Sequence, residues 1–185
     1  MNLIVGLLTT LLLVSEPIDT IPITTEITES VEQPSEEDIV YMAKTLWGEC
    51  RGVDSKMEQA AVAWCILNRV DHPEKYGDTV KEVVTAPHQF SGYLSSNPVD
   101  NEMRELAEDV LDRWYAEKVY GECYGRVLPK DYYYFVGFGG RNHFMQVWKS
   151  GVYYDWHMPD PYDNYPTITG REDECLTSNI LLLPK

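Results

Sequence analysis

Basic residues are scarce in this 185-residue chain, in which 15 Lys and Arg face 30 Asp and Glu, for a formal net charge of −15. Surfaces that bind nucleic acid are built from clustered Lys and Arg, so no nucleic-acid partner is expected. Binding to anionic lipid is disfavoured for the same reason. Hydrophobic residues make up 44% of the chain, which is enough for the core of one domain of ordinary size.

Long apolar runs, clustered cysteines and the common ligand-binding motifs are also missing. No apolar run approaches the ~20 residues of a spanning helix, so no transmembrane span is expected. The four histidines lie in no short ligand spacing, and there is no Gly-rich phosphate loop, His-Glu-x-x-His or Gly-x-Ser-x-Gly motif. We therefore expect neither a metal nor a cofactor. Four cysteines are too few for a disulfide scaffold, and three pairings are possible if all are oxidised: Cys50, Cys65, Cys123 and Cys175.

The N-terminal quarter differs in composition from the rest of the chain, because residues 1–43 hold eight carboxylates and no Lys or Arg. The apolar run 3–14 has the size of a secretory h-region, so residues 1–15 are predicted to be a signal peptide or a short N-terminal anchor. No Lys or Arg precedes the run and no clear cleavage site follows it, which leaves a buried apolar strand as the alternative. Residues 16–35, rich in Thr, Glu and Pro, are predicted to be a disordered acidic linker.

Four helices are predicted from capping residues that precede apolar residues at helical spacing. Ser35 precedes an acidic first turn, and Ser55-x-x-Glu58 forms a capping-box pattern. Residues 60–67 are apolar on every face, which is typical of a buried central helix and places Trp64 and Cys65 in the core. The predicted helices are 36–49, one that begins at 55 and ends near 71, a short one after the Thr79-x-x-Glu82 capping box, and one over roughly 99–118.

The apolar period changes in the last third of the chain. Residues 131–138 are dense in β-formers, and residues 151–155 are a second candidate strand. The predicted fold is therefore α+β, a mainly helical domain over 36–156 with a small late β element. Residues 157–185 are predicted to be a C-terminal extension.

Glu49 carries the clearest chemical signal, since it lies where the first predicted helix runs into Gly48 and Gly52. The helix dipole disfavours a carboxylate at a C-terminus, and packing against Trp47 would remove it from water, so both effects raise its pKa. A carboxylic acid that stays protonated near neutral pH is what a glycosidase needs to protonate a leaving oxygen. The two glycines would let a large substrate approach the backbone closely.

Two other interpretations of this position remain open. On physical grounds alone, Glu49 is more simply a solvated carboxylate paired with Arg51 or Lys44. The adjacent Cys50 is a second candidate as a thiol nucleophile, but no His partner lies near it in the sequence.

Three motifs follow one another between residues 38 and 93: Gly48-Glu-Cys-Arg-Gly52 at the end of a helix, Asn68-Arg-Val70 at the end of an Ala-Val-Ala helix, and Gln89-Phe-Ser91 in a loop. Their order and spacing resemble the SleB/CwlJ-type cell wall hydrolases, the spore-cortex-lytic enzymes and their relatives. Cys50 departs from the Ala that is usual in that family. A looser likeness continues through the aromatic segments 132–135 and 140–144.

The resemblance implies a lysozyme-like α+β catalytic domain that acts on the glycan strands of peptidoglycan, with Glu49 as the catalytic glutamate. Family members with established chemistry are lytic transglycosylases, which cleave between N-acetylmuramic acid and N-acetylglucosamine and leave a 1,6-anhydro ring. That reaction needs one carboxylate, and no second acidic residue stands out here as its partner. We expect the substrate to be bound by Gln89, Ser91, Tyr134, Asn142 and His143.

Other functions on the same polymer remain as alternatives. An N-acetylmuramoyl-L-alanine amidase or a muramidase would cut peptidoglycan at other bonds, although the lack of a zinc-ligand set argues against a metal-dependent amidase. A non-catalytic wall-binding module would keep the cleft without the reaction. We expect a secreted or envelope-associated monomer that acts on spore cortex or vegetative wall. Because the wall and the chain are both anionic, we expect its activity to depend weakly on salt.

Overall fold

The computed structural model describes residues 32–121 and 124–162. The predicted signal peptide or anchor, nearly all of the predicted linker, most of the predicted C-terminal extension, and Cys123 and Cys175 lie outside these residues. The described part is α+β and mainly helical, with five helices followed by one two-stranded antiparallel sheet. None of the helices described is both long enough and apolar enough to cross a bilayer.

The helices are α1 (Glu36–Glu49), α2 (Lys56–Val70), α3 (Pro73–Tyr76), α4 (Val80–Thr85) and α5 (Asn101–Tyr120), and the strands are β1 (Tyr134–Phe138) and β2 (Arg141–Met145). The four predicted helices are confirmed, the first with both of its predicted ends. Sequence patterns missed α3 because a helix of four residues is too short to show an apolar period.

Helix α1 begins at a complete capping box. The Ser35 hydroxyl oxygen accepts the N–H of Asp38, and the Asp38 carboxylate accepts the N–H of Ser35 at 3.0 Å. These bonds satisfy two backbone donors that have no partner within the helix. The opposite end of α1 is Glu49, which α1 carries toward the other helices through its buried residues Met42 and Leu46.

Helix α2 is the centre of the molecule. All side chains from Ala60 to Leu67, including Trp64 and Cys65, are 0% exposed, as the all-apolar stretch predicted. Helices α1, α4 and α5 pack around it. Each large apolar side chain buried here contributes about 1.5–3 kcal/mol to the stability of the fold. The position of α2 is therefore well determined, and so are the positions of the residues at its two ends.

The C-terminal end of α2 anchors the segment that leads into the sheet. The Asn68 side-chain amide donates to the carbonyls of Pro129 at 2.8 Å and Tyr132 at 2.9 Å. The buried Arg126 guanidinium donates to Asn68 Oδ1 at 2.7 Å and to the Glu117 carboxylate at 2.9 Å. This network holds the start of β1 against the end of α2.

The sheet is a hairpin closed by Gly139 and Gly140, which have φ of 63° and 75°. Positive φ at both central residues is the requirement of the common two-residue hairpin turn. The candidate strand 151–155 is wrong, because β1 pairs with β2 in the register Tyr134↔Met145. Residues 151–155 form no ladder, and Tyr154 joins the hairpin through one bond from its N–H to the Phe144 carbonyl at 2.9 Å.

The capping box predicted for α2 is only half formed. The Ser55 hydroxyl accepts the Glu58 N–H at 3.3 Å, as expected. The Glu58 carboxylate does not return to the cap but is buried and accepts the backbone N–H of Asn142. Glu58 therefore fastens β2 to the start of α2.

Candidate active site

A cleft of about 520 Å³ lies where the end of α1, the end of α2, α3, the loop 86–100 and β1 meet. A cavity of this volume is the size that holds one small-molecule ligand. Four of the six residues predicted for the site line it: Glu49, Gln89, Ser91 and Tyr134. The cleft thus brings together residues that are up to 99 positions apart in the sequence, from Glu49 to Trp148.

Glu49 is the last residue of α1, and its half-buried carboxylate lies against the loop 86–100. The backbone N–H of Gly92 donates to Oε1 at 2.6 Å. The second oxygen, Oε2, receives no hydrogen bond from the described residues. One oxygen is therefore fixed by the backbone, and the other is left to face a ligand.

The contact that holds Gly92 against Glu49 requires glycine on both sides. A Cβ at Gly48 would lie 1.9 Å from the Gly92 carbonyl oxygen, and a Cβ at Gly92 would lie 2.7 Å from the Glu49 nitrogen. The Asn97 side-chain amide donates to the Gly92 carbonyl at 2.8 Å and to the Lys44 carbonyl at 3.0 Å, which clamps the loop to α1. Gly48 thus allows the loop 86–100 to pack closely against α1. This corrects the expectation that Gly48 allows a substrate to approach the backbone.

Burial raises the pKa of the Glu49 carboxyl above its usual value. The N–H of Gly92 and the guanidinium of Arg69 each oppose part of this shift, because both stabilise the carboxylate. The direction agrees with the sequence-based expectation, and its main cause is removal from water. A raised pKa keeps a larger share of Glu49 protonated and able to donate a proton.

The two alternative partners proposed for Glu49 are engaged elsewhere. The Arg51 guanidinium lies over the Trp47 ring at 4.1 Å, and the Lys44 ammonium donates to the Ser95 carbonyl at 2.7 Å. Among the described residues, Glu49 forms no ion pair with either. The interpretation of Glu49 as a solvated, paired carboxylate is therefore wrong.

The neighbouring thiol is an unsuitable nucleophile. Cys50 is buried, and burial raises its pKa to about 12. The thiolate, which is the reactive form, is then almost absent at neutral pH. Cys65, buried in α2, is likewise a free thiol, with a pKa that burial raises to about 11.

Arg69, which the sequence did not single out as a site residue, is the structural hub of the cleft. Its guanidinium donates to the Tyr133 carbonyl at 2.7 Å and to the Gln89 side-chain oxygen, and it lies 4.6 Å from the centre of the Phe90 ring. It thereby joins α2, the loop 86–100 and the entry to β1. Gln89 is oriented by this bond, with its amide nitrogen left for other partners.

Tyr134 is held at the opposite wall by two donors from α3. The Tyr76 hydroxyl donates to the Tyr134 oxygen at 2.9 Å, and the Lys75 ammonium donates to it at 3.3 Å. These bonds, the one from Tyr76 first, lower the pKa of Tyr134. The Trp148 ring packs on Tyr134 at 5.9 Å and extends the wall outward.

Asn142 and His143 lie outside the residues that line the cleft. Asn142 is buried at the start of β2, where its N–H serves Glu58. His143 stacks on Phe138 near the tip of the hairpin at a centroid distance of 3.7 Å. The geometry therefore supports sugar contacts within the cleft for Gln89, Ser91 and Tyr134 but not for these two residues.

Six lining residues were not predicted as members of the site: Arg69, Lys75, Tyr76, His88, Phe135 and Trp148. Arg69 had a usable signal, since it belongs to the Asn-Arg-Val motif. The others reach the cleft through tertiary contacts that no local pattern reveals. In the described ranges, no group of three or more His, Cys, Asp or Glu could hold a metal ion.

Residues 53–134 match the model of the Cell Wall Hydrolase family. The match covers 82 of the 185 residues of the chain. The matched segment contains Arg69, Gln89, Ser91 and Tyr134 of the cleft, whereas Glu49 lies four residues before it. No curated protein and no solved structure matches the chain. The likeness to cell wall hydrolases favours peptidoglycan hydrolysis as the reaction and an extracellular or envelope location.

Proposed function

We propose that this protein is a lytic transglycosylase that cleaves the bond between N-acetylmuramic acid and N-acetylglucosamine, with Glu49 as both acid and base. One observation carries the proposal: among the described residues that line the cleft, Glu49 is the single carboxylate. Glycosidases that use two carboxylates need the second one at roughly 5–9.5 Å from the first. A transglycosylase does not need it, because the attacking group belongs to the substrate.

The reaction proceeds through two proton transfers at the same side chain. Protonated Glu49 donates its proton to the glycosidic oxygen as the bond from that oxygen to C1 of the muramic sugar breaks. The N-acetyl group of that sugar stabilises the cationic centre, a substrate-assisted route. The C6 hydroxyl then attacks C1 and gives its proton to the Glu49 carboxylate, which closes the 1,6-anhydro ring without water and restores the acid.

The surroundings of Glu49 support this cycle. The Gly92 N–H stabilises the carboxylate that forms after the first transfer, while burial favours the acid that starts the cycle. The same residue can therefore exist in both states during turnover. Gln89, Ser91 and Tyr134 are proposed to bind sugar hydroxyl and N-acetyl groups.

The proposal includes a lysozyme-like architecture, in which a helix carries the acid to the edge of a cleft that faces a small β element. The position of Glu49 at the end of α1 and of Tyr134, on the hairpin, in the wall of the same cleft supports this part of the proposal. We further propose an exported monomer whose substrate is spore cortex or vegetative wall. The fragments released from each polymer distinguish these substrates.

The test is digestion of purified vegetative peptidoglycan and of purified cortex by the full chain, with the released fragments read by mass spectrometry. We expect fragments that end in 1,6-anhydro-muramic acid, and a fall of about 10²- to 10⁴-fold in their rate of release by Glu49→Gln. The matched control is Glu105→Gln, which changes an exposed carboxylate on α5.

Three results would contradict the proposal in different ways. Reducing muramic ends would make water the nucleophile and the protein a muramidase. Released stem peptides with intact glycans would make it an amidase. Binding to the wall without any cleavage, equal in wild type and Glu49→Gln, would make it a wall-binding module.

A further inference from the structure

Exposed apolar side chains are concentrated in one segment of the chain. Of the eight large ones in the part of the chain that the structure describes, five lie between residues 138 and 153: Phe138, Val147, Trp148, Val152 and Tyr153. Phe138 is 50% exposed and Trp148 is 51% exposed. A local concentration of this kind, unlike scattered apolar residues, is typical of a binding surface.

These aromatic side chains are ordered by contacts with one another. The Phe138 and His143 rings are stacked with an interplanar angle of 7° and a centroid distance of 3.7 Å. The Tyr153 ring lies 5.8 Å from Phe138 and 5.2 Å from His143. A ligand that binds such a preformed cluster loses little free energy to side-chain ordering.

The cluster continues the wall of the cleft. Side chains alternate along a strand, so Tyr134 and Phe138 lie on the same face of β1, and His143, paired with Val136, lies on that face between them. Tyr134 and Trp148 line the cleft at one end of this face, and Phe138 lies at the other. At ~3.3 Å per residue, the face extends about 13 Å from Tyr134 to Phe138. We call it the aromatic face: Tyr134, Phe138, His143, Trp148 and Tyr153.

A cation lies beside the aromatic face although the chain as a whole is acidic. Arg141, which pairs with Phe138 across the hairpin, is not that cation, because its Nε lies 4.0 Å from the Glu58 carboxylate. The Lys149 ammonium lies 5.9 Å from the centre of the Trp148 ring. The stem peptides of peptidoglycan carry carboxylates, so charge favours that polymer here over a neutral one.

We propose that the aromatic face is a second glycan-binding subsite, on which pyranose rings of the peptidoglycan strand stack where the strand leaves the cleft. A cavity of about 520 Å³ holds only a short piece of a polymer, so the rest of a bound strand must lie on the neighbouring surface. Phe138 and Tyr153 supply the stacking surfaces, and Lys149 attracts the acidic groups of the strand. The inference rests on the proposed peptidoglycan substrate.

The test compares binding of long and short glycans by the full chain in a Glu49→Gln background, which prevents turnover. Phe138→Ser and Tyr153→Ser are made separately, and dissociation constants are measured for solubilised uncross-linked glycan strands and for a tetrasaccharide. The preference for the long strand over the tetrasaccharide, expressed as the ratio of the two constants, should fall about 3- to 10-fold in each variant. The control is Tyr120→Ser, which removes a ring that is 62% exposed at the end of α5, away from the hairpin.

Two outcomes would overturn the inference. A length preference equal to that of the Tyr120→Ser control in both variants would show that the strand does not use this face. A shift in elution volume in size-exclusion chromatography, with unchanged length preference, would assign the face to contact between copies of the chain. Binding is measured without turnover, so the two proposals can fail separately. If the variants lose the length preference and the wild type cleaves no glycan, the subsite is supported and the proposed reaction is contradicted.

Discussion

At the scale of the residue, the protonation of Glu49 links the fold to the proposed chemistry. Burial raises the pKa of its carboxyl, while the Gly92 N–H and Arg69 lower it. The net upward shift means that the folded state binds the proton more tightly than the unfolded chain does. When Glu49 is ionised in this position, the free energy of unfolding is therefore lower than when it is protonated.

This linkage predicts how the stability of the protein depends on pH. The pKa of Glu49 is higher in the folded state than in the unfolded state. Ionisation of Glu49 therefore lowers the free energy of unfolding as pH rises from about 4.5 through the folded pKa, and above the folded pKa this decrease is complete. Glu49→Gln keeps the oxygen that accepts the Gly92 N–H but cannot ionise. We expect the variant to have a melting temperature a few degrees above that of wild type at pH 7, measured by circular dichroism.

The same measurement contains its own control at low pH. Below the unfolded pKa, Glu49 is protonated in both states, so the difference between variant and wild type should shrink as pH falls. A stability gain that is constant from pH 3.5 to pH 7 would point to a packing effect of the amide. A variant less stable than wild type at pH 7 would contradict the raised pKa.

At the scale of the element, the site depends on how closely α1 and the loop 86–100 approach. Ala is usually better than Gly within a helix by about 0.5–1 kcal/mol. At position 48 we expect Ala to be less stable than Gly, because the added Cβ would lie 1.9 Å from the Gly92 carbonyl oxygen. The loop must then move, and the N–H that holds Glu49 moves with it.

We therefore predict that Gly48→Ala lowers the free energy of unfolding by about 1–3 kcal/mol, as overpacking does, and also reduces cleavage per folded molecule. Urea unfolding and peptidoglycan digestion measure the two effects. Gly52→Ala is the matched control, since Gly52 has φ of 78° but no atoms within 4 Å of an added Cβ. It should cost about 1–2 kcal/mol from backbone strain without reducing cleavage. Equal cleavage by the two variants would contradict the role given to the contact.

The helices were predictable from the sequence and the second strand was not. Ser35 and Ser55 are local signals, and each precedes a helix because the cap and the apolar period lie within one continuous segment. The strand 151–155 was predicted from β-forming residues alone, yet a strand needs a partner as well as suitable residues. The partner of β1 is instead the segment directly after Gly139 and Gly140. These two glycines are a turn signal in the sequence, and they predict a hairpin at this position.

At the scale of the whole molecule, charge is distributed unevenly between the surface and the site. The chain has a formal charge of −15, but the described residues that line the cleft include Arg69 and Lys75 beside one carboxylate. The total charge of the chain does not reveal this local excess of positive charge. Local attraction in the cleft and overall repulsion from an anionic wall act in opposite directions, and salt screens both.

This opposition predicts a weak dependence of activity on salt. Between 20 and 200 mM NaCl we expect the rate of peptidoglycan cleavage to change by less than about 3-fold, because the two screened effects offset each other. Lys75→Met should make the rate rise with salt, since the remaining repulsion is then what salt removes. Strong inhibition of the wild type by moderate salt would contradict the prediction and would mean that attraction by the cleft dominates.

The residues of the site could be predicted only where a motif marked them. Glu49, Gln89 and Ser91 belong to short motifs and line the cleft. Lys75, Tyr76 and Trp148 come from segments without a signal, and they reach the cleft because Asn68 and Arg69 tie the start of β1 to the end of α2. Asn142 was predicted as a site residue because of the segment in which it lies. In the structure, its backbone N–H donates to the buried Glu58 carboxylate instead.

The order of these segments along the chain has a consequence for the cell that makes the protein. The acid comes from residue 49, whereas the far wall of the cleft is completed by Tyr134 and Trp148. During synthesis, Glu49 leaves the ribosome about a hundred residues before the last part of its cleft. At ~5–20 residues per second, the acid exists for several seconds with no substrate site around it. On the proposed mechanism, a growing chain therefore cannot cleave a glycan until the segment that contains Trp148 has been made.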